Sequence, residues 1–331
     1  MKLATLRADG PDGRLVVVSR DGSAMVSAEA IAPTLQAALD RWTDTAPRLE
    51  ALSREMNAGA LAQARPFRPE DVLAPLPRAW QWLDGSAFKA HSDLATRAYQ
   101  LANTWNERPL MYQGMSHQFL SPTEDVGFPS AADGIDFEGE FGVITDQVPM
   151  GADAAAARGH IRLIVQINDW SLRTIAREEM NRGFGWVRGK PACSVAPLAV
   201  TPDELGGSWR DSKVGLDVFI WRGDELFGHA NGREMSFGFD DLIAHAAYSR
   251  ALSAGTIIGS GTVANAAYAE VGSSCILERR GIEILETGEA RTPFLANGEQ
   301  VCMEARTDDG ECPFGRINQR LRVLQPAGSD G

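Results

Sequence analysis

Apolar residues at the start of the chain come in short blocks between turn signals. Val16, Val17 and Val18 follow a Pro-Asp-Gly turn at 11–13, and Asp21-Gly22 opens another, which predicts a hairpin over residues 1 to about 20. From about 34 to 60 the period changes. Leu35, Leu39 and Trp42, then Leu49, Leu52 and Met56, recur at helical spacing, and Gly59 is a stop signal, so one or two helices are expected. Pro66, Pro69, Pro75 and Pro77 crowd the next stretch, which reads as a linker closing a small N-terminal domain over 1–72. Beyond it the texture is β-like, with short apolar runs at 142–145, 163–167, 216–220, 256–258 and 281–285 and a helical segment near 240–252. This predicts an α+β fold, mostly β, with a larger domain over 73–331 and no internal repeat.

Composition narrows the partners. The 331 residues carry 32 basic and 44 acidic side chains, a formal net charge of -12. Such a surface repels phosphate backbones and anionic headgroups, so neither nucleic acid nor a membrane is an expected partner. An acidic substrate would need a local cation. The apolar stretches near the N-terminus are too short for a signal region, and the run at 161–167 is interrupted by Arg162 and Gln166. Cys193, Cys275, Cys302 and Cys312 form no C-x-x-C pair, which argues against a disulfide frame or a thiolate zinc site and makes the cytoplasm the expected compartment.

Several residues could carry chemistry. Glu138 and Glu140, two apart on an expected strand, would project side by side, with Phe137 and Phe141 on the other face. Buried together they would repel unless a hard divalent ion neutralised them; on a solvated face they would need nothing. Asp169 ends the apolar run 161–167 where a strand gives way to a loop, a place for either a functional side chain or a cap. Asp84 and His91, on an expected turn plus helix, could supply a ligand and a base. His245 sits among apolar helical neighbours and reads as structural. Lys190, after Gly189, could neutralise an oxyanion, although no P-loop pattern surrounds it. Residues 259–264, Gly-Ser-Gly-Thr-Val-Ala, match a dinucleotide fingerprint only superficially, since Gly272, Ser273 and Ser274 interrupt any following helix. A tight turn whose backbone N–H groups face a site is the preferred reading.

In combination these pieces resemble the fumarylacetoacetate hydrolase family over about residues 76 to 315. The Glu-x-Glu motif is Glu138-Gly139-Glu140, the Asn-Asp-Trp-Ser segment is Asn168 to Ser171, the Gly-Lys pair is Gly189-Lys190, the late Gly-Thr turn is Gly261-Thr262, and the Asp-to-His spacing is kept by Asp84 and His91. The resemblance implies a small N-terminal domain, a catalytic domain built as a mixed β-sandwich or roll, and a homodimer. It implies a Mg²⁺ ion, with Mn²⁺ or Ca²⁺ as substitutes, held by Asp84, Glu138, Glu140 and Asp169. His91 would activate water and Glu278 would orient it. Lys190 would stabilise developing negative charge, while Tyr112 and Thr262 would contact substrate. Ser86 and Ala176 stand where fumarylacetoacetases carry a substrate-binding tyrosine and glutamine, and Arg97 is out of register with their arginine, so the substrate is expected to differ.

The expected activity is hydrolysis of a C–C bond in a β-diketo acid of the acylpyruvate or fumarylpyruvate kind, in aromatic compound catabolism. A lyase, hydratase or decarboxylase could use the same metal. A nicotinamide oxidoreductase built on 259–264 and an inactive metal-binding protein are the more distant alternatives.

Overall fold

The computed structural model describes residues 1–101 and 105–324; the last residues assigned above to the larger domain, 325–331, lie outside the described residues. The N-terminal hairpin forms as expected. Strands Lys2–Leu6 and Arg14–Val18 pair antiparallel, and Ala24–Ser27 adds to them. Val16 and Val18 enter one apolar core, while Leu15 and Val17 enter another together with Leu35, Leu39, Leu49 and Met56. A period of two thus buries both faces of one strand. The helices Leu35–Leu39 and Trp42–Asn57 cover the second face. Thr34 starts the first, its hydroxyl accepting from the Ala37 N–H at 3.1 Å. Gly59, with φ of +70°, turns the chain after the second.

Lys2–Leu6 also pairs with Ala199–Val200, which pairs with the long strand Ile161–Asn168. The N-terminal hairpin is therefore the flank of an 11-stranded sheet among the described residues, continuing through Gly139–Thr145, Thr256–Gly259 and Gln81–Ser86 to Leu110–Gln113. The proline-rich stretch runs along that flank. Leu73 N–H donates to the Thr5 carbonyl at 2.9 Å, and the Thr5 hydroxyl to the Pro75 carbonyl at 2.6 Å. A second sheet runs Glu225–Asn231, Asp217–Arg222, Gln300–Arg306, Arg316–Val323, Val126–Phe128. Phe141 and Val143 of the large sheet share a core with Val218, Ile220 and Met303 of the second. The fold is an α+β sandwich, mostly β, with a small N-terminal part.

Three local expectations need correction. Residues 281–285 are not a strand but part of the helix Ile276–Thr287, because Gly281 lies against Ala98 and Leu94 of the helix Lys89–Tyr99 and its small size lets the helices meet. The helical segment near 240–252 is shorter, Phe239–Ala246, because Leu252 exchanges two 2.9 Å backbone hydrogen bonds with Val148 and is held extended. Asp84 lies inside the strand Gln81–Ser86 rather than on a turn; only His91 is on a helix.

Candidate active site

Four neighbouring strands end at one rim of the large sheet. Gly139 pairs with Asn168, and three residues further along the same strand Gly142 pairs with Gly259, which pairs with Asp84, so the start of one strand and the ends of three others lie near one another in a staggered row. Glu140, Asp169 and Asp84 come from these ends. Their carboxylate oxygens approach to within 4.8 Å of one another, and all three residues are buried. Glycine makes this crowding possible. A Cβ on Gly259 would stand 2.3 Å from Asp84 Oδ1. Gly261, with φ of +74°, turns the chain so that its N–H donates to Asp84 Oδ1 at 3.0 Å. The 259–264 segment is thus a turn facing a site, and its Ser260 and Val263 N–H groups bind the backbone of Phe141 and Gly139.

The remaining polar groups surround this trio. Tyr112, the cross-strand partner of Asp84, donates its hydroxyl to Asp169 Oδ2 at 2.7 Å. Lys190 Nζ donates to the same oxygen at 2.7 Å and to Glu138 Oε2 at 2.9 Å. Cys193 Sγ donates to Asp169 Oδ1 at 3.0 Å. Glu138 precedes the strand Gly139–Thr145 and lies outside the close trio; its other oxygen meets Arg173 at 2.6 Å. Thr262 is buried on the glycine turn.

Electrostatics divides these acids. Burial, then Asp169, pushes Asp84 well above the usual carboxylate range, with Lys190 working against them. Burial, then Asp84 and Asp169, does the same to Glu140. Burial also opposes ionisation of Glu138, but Lys190 and Arg173 outweigh it and hold Glu138 well below the usual range. Burial would discharge Lys190, yet Asp169 and Glu138 hold it protonated. Burial and Asp169 raise the Tyr112 phenol, so it stays a donor. Both oxygens of Glu140 are buried with no hydrogen-bond partner. Asp169 and Asp84 have donors that orient them, while Glu140 has none; three carboxylates converging with one left unsatisfied are the ligand set of a hard divalent cation, so the residues fit such an ion.

His91 and Glu278 meet beside this site. Their nearest atoms, Nδ1 and Oε1, are 3.7 Å apart, and Glu278 Oε2 accepts the Ser274 N–H at 3.3 Å. Asp136 anchors the helix carrying Glu278 by accepting the Ile276 and Leu277 N–H groups at 2.7 and 2.9 Å, and it also binds Arg173 Nε at 2.7 Å. Arg173, Asp136 and Cys193 were not singled out from the sequence. The usable signal was position, since Arg173 follows Asn168 to Leu172 directly and Asp136 is two residues before Glu138. His245 is exposed on its helix, away from these groups, and Arg97 is exposed on the helix of His91. Ser86 ends the Asp84 strand, and Ala176 packs against Gly189, where a Cβ would meet the Ala176 Cα at 2.7 Å.

Residues 81–322 match the family model described as fumarylacetoacetate (FAA) hydrolase C-terminal, and residues 1–78 match fumarylacetoacetase N-terminal domain 2. This chain belongs to the fumarylacetoacetate hydrolase family. A Burkholderia lata protein whose name places it among hydrolases is 25% identical over 159 residues, 47% of this chain and 54% of its own. The matched region thus spans about half the length of that curated relative. Maleylpyruvate hydrolase from Sphingobium sp. SYK-6 shares the fold of this family member with a TM-score of 0.66 at 15% identity, covering 98% of this chain and 100% of its own. That protein has also been solved with manganese(II) and pyruvate. The 5-carboxymethyl-2-hydroxymuconate delta-isomerase of Mycobacterium smegmatis has a TM-score of 0.58 at 15% identity, over 98% and 100% of the two chains. Among the described residues, no helix is long and apolar enough to cross a membrane.

Proposed function

We propose that this family member is a divalent-metal-dependent hydrolase that cleaves a C–C bond in a β-diketo acid of the acylpyruvate or fumarylpyruvate kind. The observation that carries the reading is the buried trio Asp84, Glu140 and Asp169 beside the His91–Glu278 pair. The trio would hold the ion, with Glu138 beside it, and Mg²⁺ is the proposed occupant. Bound there, the ion supplies Lewis-acid stabilisation for negative charge on a 2-oxo acid. The chain supplies the rest. Lys190 brings a fixed positive charge into a site that an acidic chain otherwise makes hostile to acids. Tyr112 and Thr262 line the place where substrate would lie. His91 takes a proton from water, whose oxygen adds to the carbonyl far from the carboxylate; the bond between that carbonyl carbon and its neighbour then breaks, its electron pair leaving as the enolate of the 2-oxo acid, and the protonated imidazole returns the proton to the neighbouring carbon. Glu278, whose Oε1 lies 3.7 Å from His91 Nδ1, orients the imidazole.

The isomerase among the structural neighbours favours one other reading, a rearrangement of a 2-oxo acid at the same metal. An ultraviolet screen of β-diketo acids with and without Mg²⁺, with products identified, separates the two. Two carboxylic fragments, formed only with metal, are expected. A single product of unchanged mass, or release of carbon dioxide, would overturn the hydrolase.

A further inference from the structure

A second group of ligand atoms lies beside the carboxylate trio. A ring nitrogen of His91, Cys275 Sγ and a Glu278 oxygen all fall within 4.8 Å of one another. His91 Nδ1 and Glu278 Oε1 are 3.7 Å apart. Two ligands sharing one tetrahedral zinc at bonds of about 2.0–2.2 Å are themselves about 3.3–3.6 Å apart, so this spacing needs little adjustment. His91 Nδ1 is buried without a hydrogen-bond partner and stands beside the Glu278 carboxylate. Cys275 is fully buried at the start of the helix Ile276–Thr287, where its sulfur faces the Glu278 N–H at 3.3 Å. The His91 side chain keeps 20% of its surface exposed, so the cluster lies close to the protein surface on that side. Arg173 is nearby, but Asp136 and Glu138 neutralise it.

The two ligand sets differ in kind. Three carboxylates suit a hard ion, whereas imidazole, thiolate and carboxylate together suit a softer one. We propose that His91, Cys275 and Glu278 form a second metal site, selective for Zn²⁺ over Mg²⁺, whose filling switches off the activation of water. On binding, a Zn–S bond forms as the Cys275 S–H bond breaks and its proton passes to solvent. Imidazole and carboxylate bind through existing lone pairs, and the zinc stays Zn²⁺. The switch itself rests on the His91 role proposed above; the site does not.

The test uses the full chain at saturating Mg²⁺, so that the carboxylate site is occupied. Co²⁺ titration should produce the near-ultraviolet thiolate-to-cobalt absorption. The band should survive Cys193→Ser and vanish in Cys275→Ser, where serine still caps the helix. Zn²⁺ should abolish turnover of the wild type without relief by more Mg²⁺. Cys275→Ser should keep basal turnover while needing at least about tenfold more Zn²⁺ for the same loss, the scale of removing one group from a metal site. Cys275→Ala provides a second variant if serine perturbs folding. A band that persists in both Cys275 variants, or equal Zn²⁺ sensitivity in variant and wild type, would overturn the proposal. A Cys275-dependent band in a protein that cleaves no diketo acid would leave the metal site standing and remove the hydrolase reading.

Discussion

Asp169 illustrates the residue scale. Its carboxylate accepts from Tyr112, Lys190 and Cys193, whereas Glu140 beside it accepts from nothing. Oriented ligands and an unsatisfied one are different jobs for the same chemical group. Replacing Glu140 with Gln removes a carboxyl whose charged form burial, Asp84 and Asp169 already disfavour. The metal-free protein should therefore lose no thermal stability, while the rise in melting temperature on adding Mg²⁺ disappears and turnover falls by more than the ~10–100-fold typical of groups one step further out. Thermal melts with and without chelator check both halves, and a Mg²⁺-induced shift of wild-type size would exclude Glu140 as a ligand. At His91, substitution by Ala should cut turnover by about 10²–10⁴-fold. Glu278→Gln should cost a similar factor, and the double variant little more, because residues acting as a unit are not additive. Multiplying losses in the double variant would mean that the two act separately.

The residues of the trio were individually legible, because acidic side chains beside an apolar run stand out. The unnamed ones were not. Arg173 lies on a polar helix, and Cys193 is one of four scattered cysteines. Only the fold reveals that they face Glu138 and Asp169.

At the scale of elements, the rim of the sheet positions the site, and the opposite sheet must hold its own register. Glu304 contributes there. It is buried, pairs across strands with Arg316, and accepts from Arg306 Nε at 2.6 Å and Arg316 Nε at 2.7 Å. Burial opposes its ionisation, but the two arginines outweigh it and hold the carboxyl below its usual range. A depressed folded value stabilises above the unfolded one and is lost as pH falls through the folded value. Glu304→Gln should therefore cost about 1 kcal/mol at neutral pH, modest because both arginines are partly exposed, and the difference should shrink below about pH 4.5. Urea titrations at pH 7 and at pH 4 measure it; a difference that grows on acidification would contradict the ion-pair account. Element type was legible wherever a period persisted, as in Val16 to Val18 or Leu49 to Met56. It failed at 281–285, where a short apolar run fits either a buried strand or one turn of a packed helix. The tie was broken by the helix Lys89–Tyr99, some 180 residues earlier in the chain, which takes Gly281 against Ala98.

For the whole molecule, the family resemblance leads us to propose a homodimer. Light scattering should give about twice 35.7 kDa across a wide concentration range, and a persistent 35.7 kDa species would count against it. The sequence by itself determined the strand and helix texture, the acidic balance and the motif order that reads as this family, because each is a local pattern or a sum over residues. It pointed to a metal through Glu138 and Glu140. Tertiary structure decided the rest. It set Glu140 with Asp84 and Asp169, gave Glu138 to Lys190 and Arg173, joined the N-terminal hairpin to the catalytic sheet through Lys2–Leu6 and Ala199–Val200, and carried Cys275 to within reach of His91. Those partners lie tens to hundreds of residues apart, and only the pairing of strands and helices fixes such distances.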